Sequence, residues 1–171
     1  RSEQLAIPDV GQQISYAIST VERNTFGTGQ IQSAPMLRRY PDTAYHAHGN
    51  YGIEYVLTLP LHNPTERPQT VALSVQTPLQ NETLKHALAF LTPYDSRIIF
   101  RGTVLFLYTS DQGERRAEYI HLVQRRGQEG PSLVELSLAP GEERSVEVQF
   151  LYPPDATPPQ VLTLTTASPD G

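Results

Sequence analysis

Two histidines separated by one residue are the side chains of this sequence best suited to metal chemistry. His46 and His48 flank a single alanine, and residues i and i+2 of an extended strand project to the same face. A catalytic zinc needs a third protein ligand, which His121 or His62 could supply from a neighbouring strand. The pair lies beside a glycine turn, so the simpler interpretation is exposed or hydrogen-bonded loop histidines. We predict no metal site and keep these histidines as an alternative.

Arginine pairs are a second candidate, because an anion site could accept an acidic glycan or a carboxylate partner. Arg125 and Arg126 follow Arg115, Arg116 and Arg101 in the same stretch of sequence. Adjacent residues of a strand point to opposite faces, so neither pair forms a bidentate clamp alone. Charges at hairpin ends and sheet edges also maintain solubility, and we favour that interpretation. Arg125 and Arg126 are kept as residues of a candidate interaction surface.

Tyrosines near predicted loops are a third candidate. Tyr40, Tyr45, Tyr51 and Tyr94 could form a recognition surface such as a sugar-binding platform, because tyrosine buries area at low entropic cost. The sequence has no tryptophan, the strongest stacking residue. Tyrosines near strand ends also fix the corners of β-sandwiches by hydrogen bonds to backbone. Tyr45 and Tyr51 are kept as candidate interaction residues.

Groups of residues typical of enzymes are not found in the sequence. Asp95, Ser96 and the histidines cannot be assembled into a triad, because no nucleophile elbow is present. Residues 27–29 lack the lysine and the strand-to-helix context of a phosphate loop. The sequence has no cysteine, which excludes disulfides, thiolate chemistry and cysteine-ligated zinc. We predict that the protein is not an enzyme and needs no cofactor.

Strands are predicted to position these residues, because apolar and polar residues alternate along most of the chain. The alternating segments lie at residues 14–18, 53–61, 71–75, 103–109, 117–124, 134–138, 146–150 and 162–165. Residues 104–107 are apolar on both faces, which predicts a central strand covered on two sides. Residues 36–50 are predicted to form a loop because of their turn residues.

Connections between the strands are predicted from the turn residues. The proline-stiffened loop at residues 63–68 predicts a hairpin between its flanking strands, and residues 110–113 predict a second hairpin. One helix of at most two turns is predicted from apolar residues spaced i, i+3, i+4 and i+7. These are Leu84, Ala87, Leu88 and Leu91.

A proline-rich segment at residues 152–160 joins the last two predicted strands. Its four prolines in nine residues fix φ and remove backbone donors, so it can neither pair in a sheet nor form a helix. We predict a stiff, exposed corner. Asp155 and Thr157 at its apex are candidate interaction residues, because exposed and preorganised loops favour recognition.

Composition supports one all-β domain. The chain of 171 residues contains 15 prolines and 11 glycines, which favour short strands and turns. We predict a single antiparallel β-sandwich over residues 1–171, with an extended N-terminal segment at 1–12. It should have about seven to nine strands, an immunoglobulin-like or jelly-roll-like arrangement and at most one short helix. A net charge of −5 argues against nucleic acid, and no apolar run is long enough to span a membrane.

Four sequence segments carry a resemblance to a known family. They are His48–Gly52, Phe100–Thr103, His121–Gln128 and Tyr152–Gln160. With these segments the chain resembles an uncharacterised family of secreted cyanobacterial proteins, classed as a domain of unknown function. The resemblance covers nearly the whole chain and implies the C-terminal domain of a longer precursor with a signal peptide. It also implies an extracytoplasmic location, in the periplasm, at the outer membrane or secreted.

Together these observations predict a non-enzymatic module for protein interaction or structural support in the cell envelope. Its partner would be an envelope protein or a glycan. One alternative is a metal-binding protein or metal-dependent enzyme that uses His46, His48 and a third histidine. The other is a carbohydrate-binding module that uses the loop tyrosines.

Overall fold

Two packed β-sheets make up the fold in the computed structural model. The structure describes residues 4–19, 33–35, 41, 46–48, 52–79 and 87–167, with only the backbone given for 33–35 and 46–48. Its strands are β1 (Leu5–Ala6), β2 (Gln13–Ser19), β3 (Ser33–Pro35), β4 (His46–His48), β5 (Glu54–His62), β6 (Gln69–Gln76), β7 (Ile98–Thr109), β8 (Arg115–Arg125), β9 (Val134–Leu138), β10 (Glu143–Leu151) and β11 (Gln160–Thr166). No described residue is helical.

The strand order defines sheet A and sheet B. Sheet A has five strands in the order β1-β5-β10-β7-β8, and sheet B has four in the order β2-β11-β6-β9. The short strand β1 is parallel to β5, and the other pairs are antiparallel. Strands β3 and β4 form a separate two-stranded ladder. The predicted antiparallel sandwich is therefore confirmed, with nine strands in the two sheets among the described residues.

The core lies between the sheets because alternate residues of each strand point into it. Strand β9 shows this directly: Val134, Leu136 and Leu138 are buried, and the two residues between them are exposed. In sheet A, Tyr55 and Phe150 stack with their ring centroids 4.8 Å apart. The alternation read from the sequence thus identifies the inward residues correctly.

One of the two predicted hairpins is wrong. Strands β7 and β8 form the predicted hairpin, but β5 lies in sheet A and β6 in sheet B. The loop at residues 63–68 crosses between the sheets, so the apolar faces of β5 and β6 meet across the core. Buried Asn63 stabilises this crossing, since its Nδ2 donates to the carbonyls of Arg67 (2.9 Å) and Leu138 (3.0 Å).

Two further local predictions need correction. Leu84 of the predicted helix lies outside the described residues, and residues 87–91 are not helical. Their backbone bonds distant segments, because Leu79 N–H donates to Ala89 O (2.8 Å) and Leu91 N–H donates to Gly127 O (2.9 Å). The predicted loop at residues 36–50 contains strand β4. In both places backbone groups form hydrogen bonds with residues outside the local segment.

Candidate interaction face

The histidine pair lies in strand β4, whose backbone is paired with β3. His46 is opposite Pro35, and His48 is opposite Ser33. The extended backbone that the chelation hypothesis requires is therefore present. Among the described residues no group of three or more His, Asp or Glu side chains could hold a metal ion.

The two proposed third ligands lie far apart in sheet A. His121 is on the edge strand β8 opposite Thr103, and its Nδ1 lies 3.3 Å from the Thr103 hydroxyl oxygen. His62 is on β5, opposite Glu143. Strands β10 and β7 lie between β5 and β8, which amounts to about 14 Å at the usual strand spacing. These two histidines therefore do not share one metal site.

Arg125 and Arg126 at the end of β8 contact the loop at residues 94–97. The Arg125 guanidinium lies over the Tyr94 ring, 5.8 Å from its centroid. Arg126 forms a long ion pair of 3.9 Å with Asp95, and its N–H donates to Arg97 O (3.0 Å). These contacts join the loop to β8, and a half-exposed ion pair adds little to them. Tyr45 and Tyr51 lie outside the described residues.

The proline-rich segment is only partly an exposed corner. Asp155 is exposed, but Tyr152, Ala156 and Gln160 are buried. The Tyr152 hydroxyl donates to the Gln160 amide oxygen, and Gln160 Nε2 donates to Thr157 O (2.7 Å). The prediction of a stiff, exposed corner is therefore wrong for part of the segment, because Tyr152 and Ala156 pack into the core.

The backbone of Thr157 also ties this segment to sheet A. Its N–H donates to the Ile99 carbonyl in β7 (2.7 Å). Of the two candidate interaction residues in the segment, Asp155 is free to contact a partner. Thr157 is half-buried and serves the attachment.

The outer side of sheet A carries apolar residues on four neighbouring strands. We call the outward side chains of β5, β10, β7 and β8 the exposed face. One complete row across these strands consists of Val56, Gln149, Leu105 and Tyr119. The next row consists of Thr58, Glu147, Leu107 and Ala117. Within these rows Leu105 adjoins Tyr119 and Leu107 adjoins Ala117, close enough for side-chain contact.

Several apolar side chains of this face are accessible to solvent. Tyr119 is 73% exposed, Leu151 59%, Val56 53% and Val123 40%. Tyr119 is more exposed than any other large apolar side chain in the described part of the chain. Single exposed apolar residues are ordinary on protein surfaces, but a contiguous group on one sheet face is typical of an interaction site.

A shallow depression of about 530 Å³ lies on the exposed face. Its lining includes Leu107, Ala117, Arg115 and Glu147. Tyr108 also borders it and donates to the Glu118 carboxylate (2.7 Å). Burial, with the hydrogen bond to Glu118, raises the pKa of Tyr108 to about 12. The phenol lies on the inner side of β7, the side of buried Phe106, so this hydrogen bond is structural and does not belong to the exposed face.

The sequence contained a signal for this face that pointed to the wrong structure. Because of Leu105 and Leu107, β7 is apolar on both sides. This pattern predicted a central strand with other elements packed on both of its faces. Strand β7 is internal to sheet A, but both leucines lie on the exposed face and are only half-buried. Val56 likewise interrupts the polar side of β5. An apolar residue on the outer side of a strand thus indicated an exposed apolar surface. The sequence did not show which residues of other strands lie beside it.

The fold and this face define a β-sandwich with a broad, partly apolar sheet surface. No helix in the described part of the chain is long and apolar enough to cross a membrane. The model of a protein family of unknown function, DUF3370, matches residues 1–166. The chain belongs to this family. Comparisons with curated proteins and with solved structures give no match.

Proposed function

We propose that this chain is a non-enzymatic module of the cell envelope that binds a protein through the exposed face. The proposal includes an extracytoplasmic location in a cyanobacterial cell, which follows from the resemblance of the sequence. One observation carries the interaction function: accessible apolar side chains lie at adjacent or diagonal positions of four neighbouring strands. Leaving Tyr119, Leu151 and Val56 in water has a free-energy cost that a protein partner would remove.

The open shape of the face favours a protein partner over a small molecule. Small-molecule sites usually enclose most of the ligand, whereas the depression on this face is open to solvent. Exposed tyrosine and leucine side chains with charged residues around them resemble the composition of a protein interface. The face therefore supports the interaction hypothesis more directly than the carbohydrate hypothesis.

A capture experiment with matched variants tests this function. The tagged domain is incubated with cell-envelope fractions and chemically cross-linked, and bound proteins are identified. Tyr119→Asp and Leu151→Asp place a charge on the face, and Val10→Asp is the control, since Val10 is 43% exposed and lies outside the sheets. We expect a partner that the wild type and the control retain and both face variants lose. Equal capture by all four proteins would refute the proposal, and so would the absence of both capture and self-association.

The metal hypothesis keeps one supporting observation, the extended backbone at His46 and His48. It predicts bound zinc or copper in protein purified without an affinity tag. Elemental analysis should then find about one metal ion per chain, lost on His46→Ala, because a two-histidine chelate needs both ligands. Metal at that level would replace the interaction hypothesis with a metal-dependent function.

A further inference from the structure

Charged residues on the exposed face are separated by sign. On the outward side of β7 and β8 the charged residues are Arg101, Arg115 and Arg125. On the outward side of β5 and β10 they are Glu54, Glu143 and Glu147. Apolar side chains occupy positions between them, including Leu105, Leu107, Tyr119 and Leu151. The face therefore has a basic half and an acidic half, with an apolar centre.

Two of these arginines have no opposite charge paired with them in the described part of the chain. Arg101 and Arg115 are exposed and form no ion pair with any described residue. Glu54 is also exposed, and Glu147 accepts a hydrogen bond from its strand neighbour Gln149. These side chains are available to opposite charges on a partner.

We propose that the partner of the exposed face is a second copy of this chain, packed face to face about a two-fold axis. This inference rests on the interaction function proposed above and names its partner. A two-fold axis parallel to the strands, between β10 and β7, places β8 over β5 of the other copy and β7 over β10. Each basic half then meets an acidic half, as an isologous interface requires.

The register of sheet A brings specific charges together in this arrangement. Arg101 is opposite Val123 at the same end of the sheet as Glu54, which is opposite Leu151. Arg115 is opposite Thr109, about one row from Glu147 and Leu107. Across the axis Arg101 lies over β10 of the second copy and Arg115 over β5, each one strand and about one row from Glu54 or Glu147, an in-plane offset of about 8 Å that an arginine side chain can span. Tyr119 lies over Val56 of the second copy, in the row that also contains Leu105.

The face is large enough for a specific dimer. Four strands spaced about 4.8 Å apart and about nine residues long cover a plane of roughly 19 by 30 Å. Side-chain relief adds to this area, which approaches the roughly 800 Å² per partner of a standard interface. Two stacked sheets with similar strand directions are also the usual geometry of aligned sheet packing.

Complementary charge reversal tests the dimer. One variant carries Arg101→Glu and Arg115→Glu, and a second carries Glu54→Arg and Glu147→Arg. Sedimentation equilibrium is measured from about 1 to about 500 µM, the range of weak to moderate affinities. The wild type should change from 19.1 kDa towards twice that mass. Each variant alone should associate at least about tenfold more weakly, because both halves of its face then carry mostly the same sign.

Mixing the two variants gives the decisive measurement. An equimolar mixture should form a heterodimer with about the wild-type affinity, since an acidic face then meets a basic one. The control variant Arg67→Glu with Arg97→Glu changes the net charge as much as the first variant. Both control positions are exposed and lie outside the strands, so this variant should dimerise like the wild type. Circular dichroism verifies that every variant is folded.

Three outcomes would overturn the dimer. They are a wild type that stays monomeric at every concentration, a dimer that both charge reversals leave unchanged, and a mixture that stays monomeric. A monomeric wild type whose capture of another protein is lost on Tyr119→Asp would refute the dimer and uphold the interaction function. Loss of both self-association and face-dependent capture would refute both.

Discussion

The outer faces of the two sheets differ in composition and in exposure. Residue type alone would predict that polar side chains are exposed and apolar side chains are buried, but the two outer faces show the reverse. On sheet B the outward side chains of β2, β11 and β6 include Thr163, Ser74 and Gln76, which are at most 7% exposed. We call this the covered face. On sheet A the exposed face presents Tyr119 and Leu151 to solvent. Polar residues are thus buried on one outer face, and apolar residues are accessible on the other.

Hydrogen bonds explain how the covered face tolerates burial. The Thr163 hydroxyl donates to the Gln76 amide oxygen (2.8 Å) and lies 2.9 Å from the Ser15 hydroxyl oxygen. These side chains satisfy one another on three adjacent strands, so burying them has a smaller free-energy cost. The exposed face has few such bonds and much apolar area, which suits removal from water by a partner. The polar residues of the covered face are therefore buried within the chain, whereas the apolar residues of the exposed face remain accessible to a partner.

The largest expected difference between the two sheets concerns glycines. Both Gly130 and Gly113 have positive φ, of 69° and 79°. A Cβ at Gly130 would lie 2.5 Å from Val75 O of β6 in sheet B, whereas a Cβ at Gly113 in the β7–β8 turn of sheet A meets nothing within 4 Å. Gly113→Ala should cost about 1 kcal/mol for the left-handed backbone alone, and Gly130→Ala about 3 kcal/mol or more.

Urea unfolding of the two glycine variants measures this difference. Equal free energies of unfolding would contradict the tight packing along β6. A larger loss of unfolding free energy for Gly130→Ala than for Gly113→Ala would show that the backbone is packed more tightly at sheet B than at the β7–β8 turn of sheet A.

A matched threonine pair sharpens the comparison of the two faces. Thr163→Ala on the covered face removes the donor to Gln76 and should lower the free energy of unfolding by about 2 kcal/mol. Thr58→Ala on the exposed face should change it by less than about 0.5 kcal/mol, because Thr58 is exposed. Thermal and chemical unfolding measure both variants under the same conditions. If Thr58→Ala lowered the free energy of unfolding as much as Thr163→Ala, the proposed difference between the two faces would be wrong.

The smallest expected effect is pH-dependent and concerns a cluster that joins the two sheets. Arg144 on β10 donates to Glu142 (Nε to Oε1, 2.9 Å) and to Asp111 in the β7–β8 turn (Nη1 to Oδ1, 2.5 Å). Asp111 also accepts from Ser137 N–H of β9 (3.1 Å). Burial acts to raise the pKa of Glu142, but the Ala139 N–H and Arg144 outweigh it and hold the pKa below its usual value.

A lowered carboxyl pKa gives this cluster a definite pH dependence. Its stabilisation is fully present above the unfolded pKa of 4.5 and is lost as pH falls through the lower folded pKa. Glu142→Gln should therefore lower the free energy of unfolding by about 1 kcal/mol at neutral pH, and this difference should shrink in acid. Glu135→Gln, at an exposed position of β9, is the control. A difference that stays constant with pH would exclude the ionised pair as its cause.

Local patterns in the sequence predicted the strands and one hairpin well. Alternation in β9 and β10 identified the buried residues, because the side-chain period of a strand is two wherever one face is packed. The turn at residues 110–113 correctly predicted the β7–β8 pair. The candidate site was predicted less well. His121 and Arg125 lie on β8, but Tyr119 and Leu151 were not selected, because strand order decides which outward residues adjoin.

The sequence by itself determined the strand content and the sharp corners of this protein. Proline fixes φ at the backbone, and alternation fixes which side of a strand is apolar, so both are local effects. The tertiary structure decided that residues 63–68 cross between sheets, that Tyr152 and Gln160 are buried, and that Leu105 faces outward. These outcomes depend on pairing between strands distant in sequence, such as β10 with β5 and β7. Their free energy is set by packing across the whole core, which no local pattern contains.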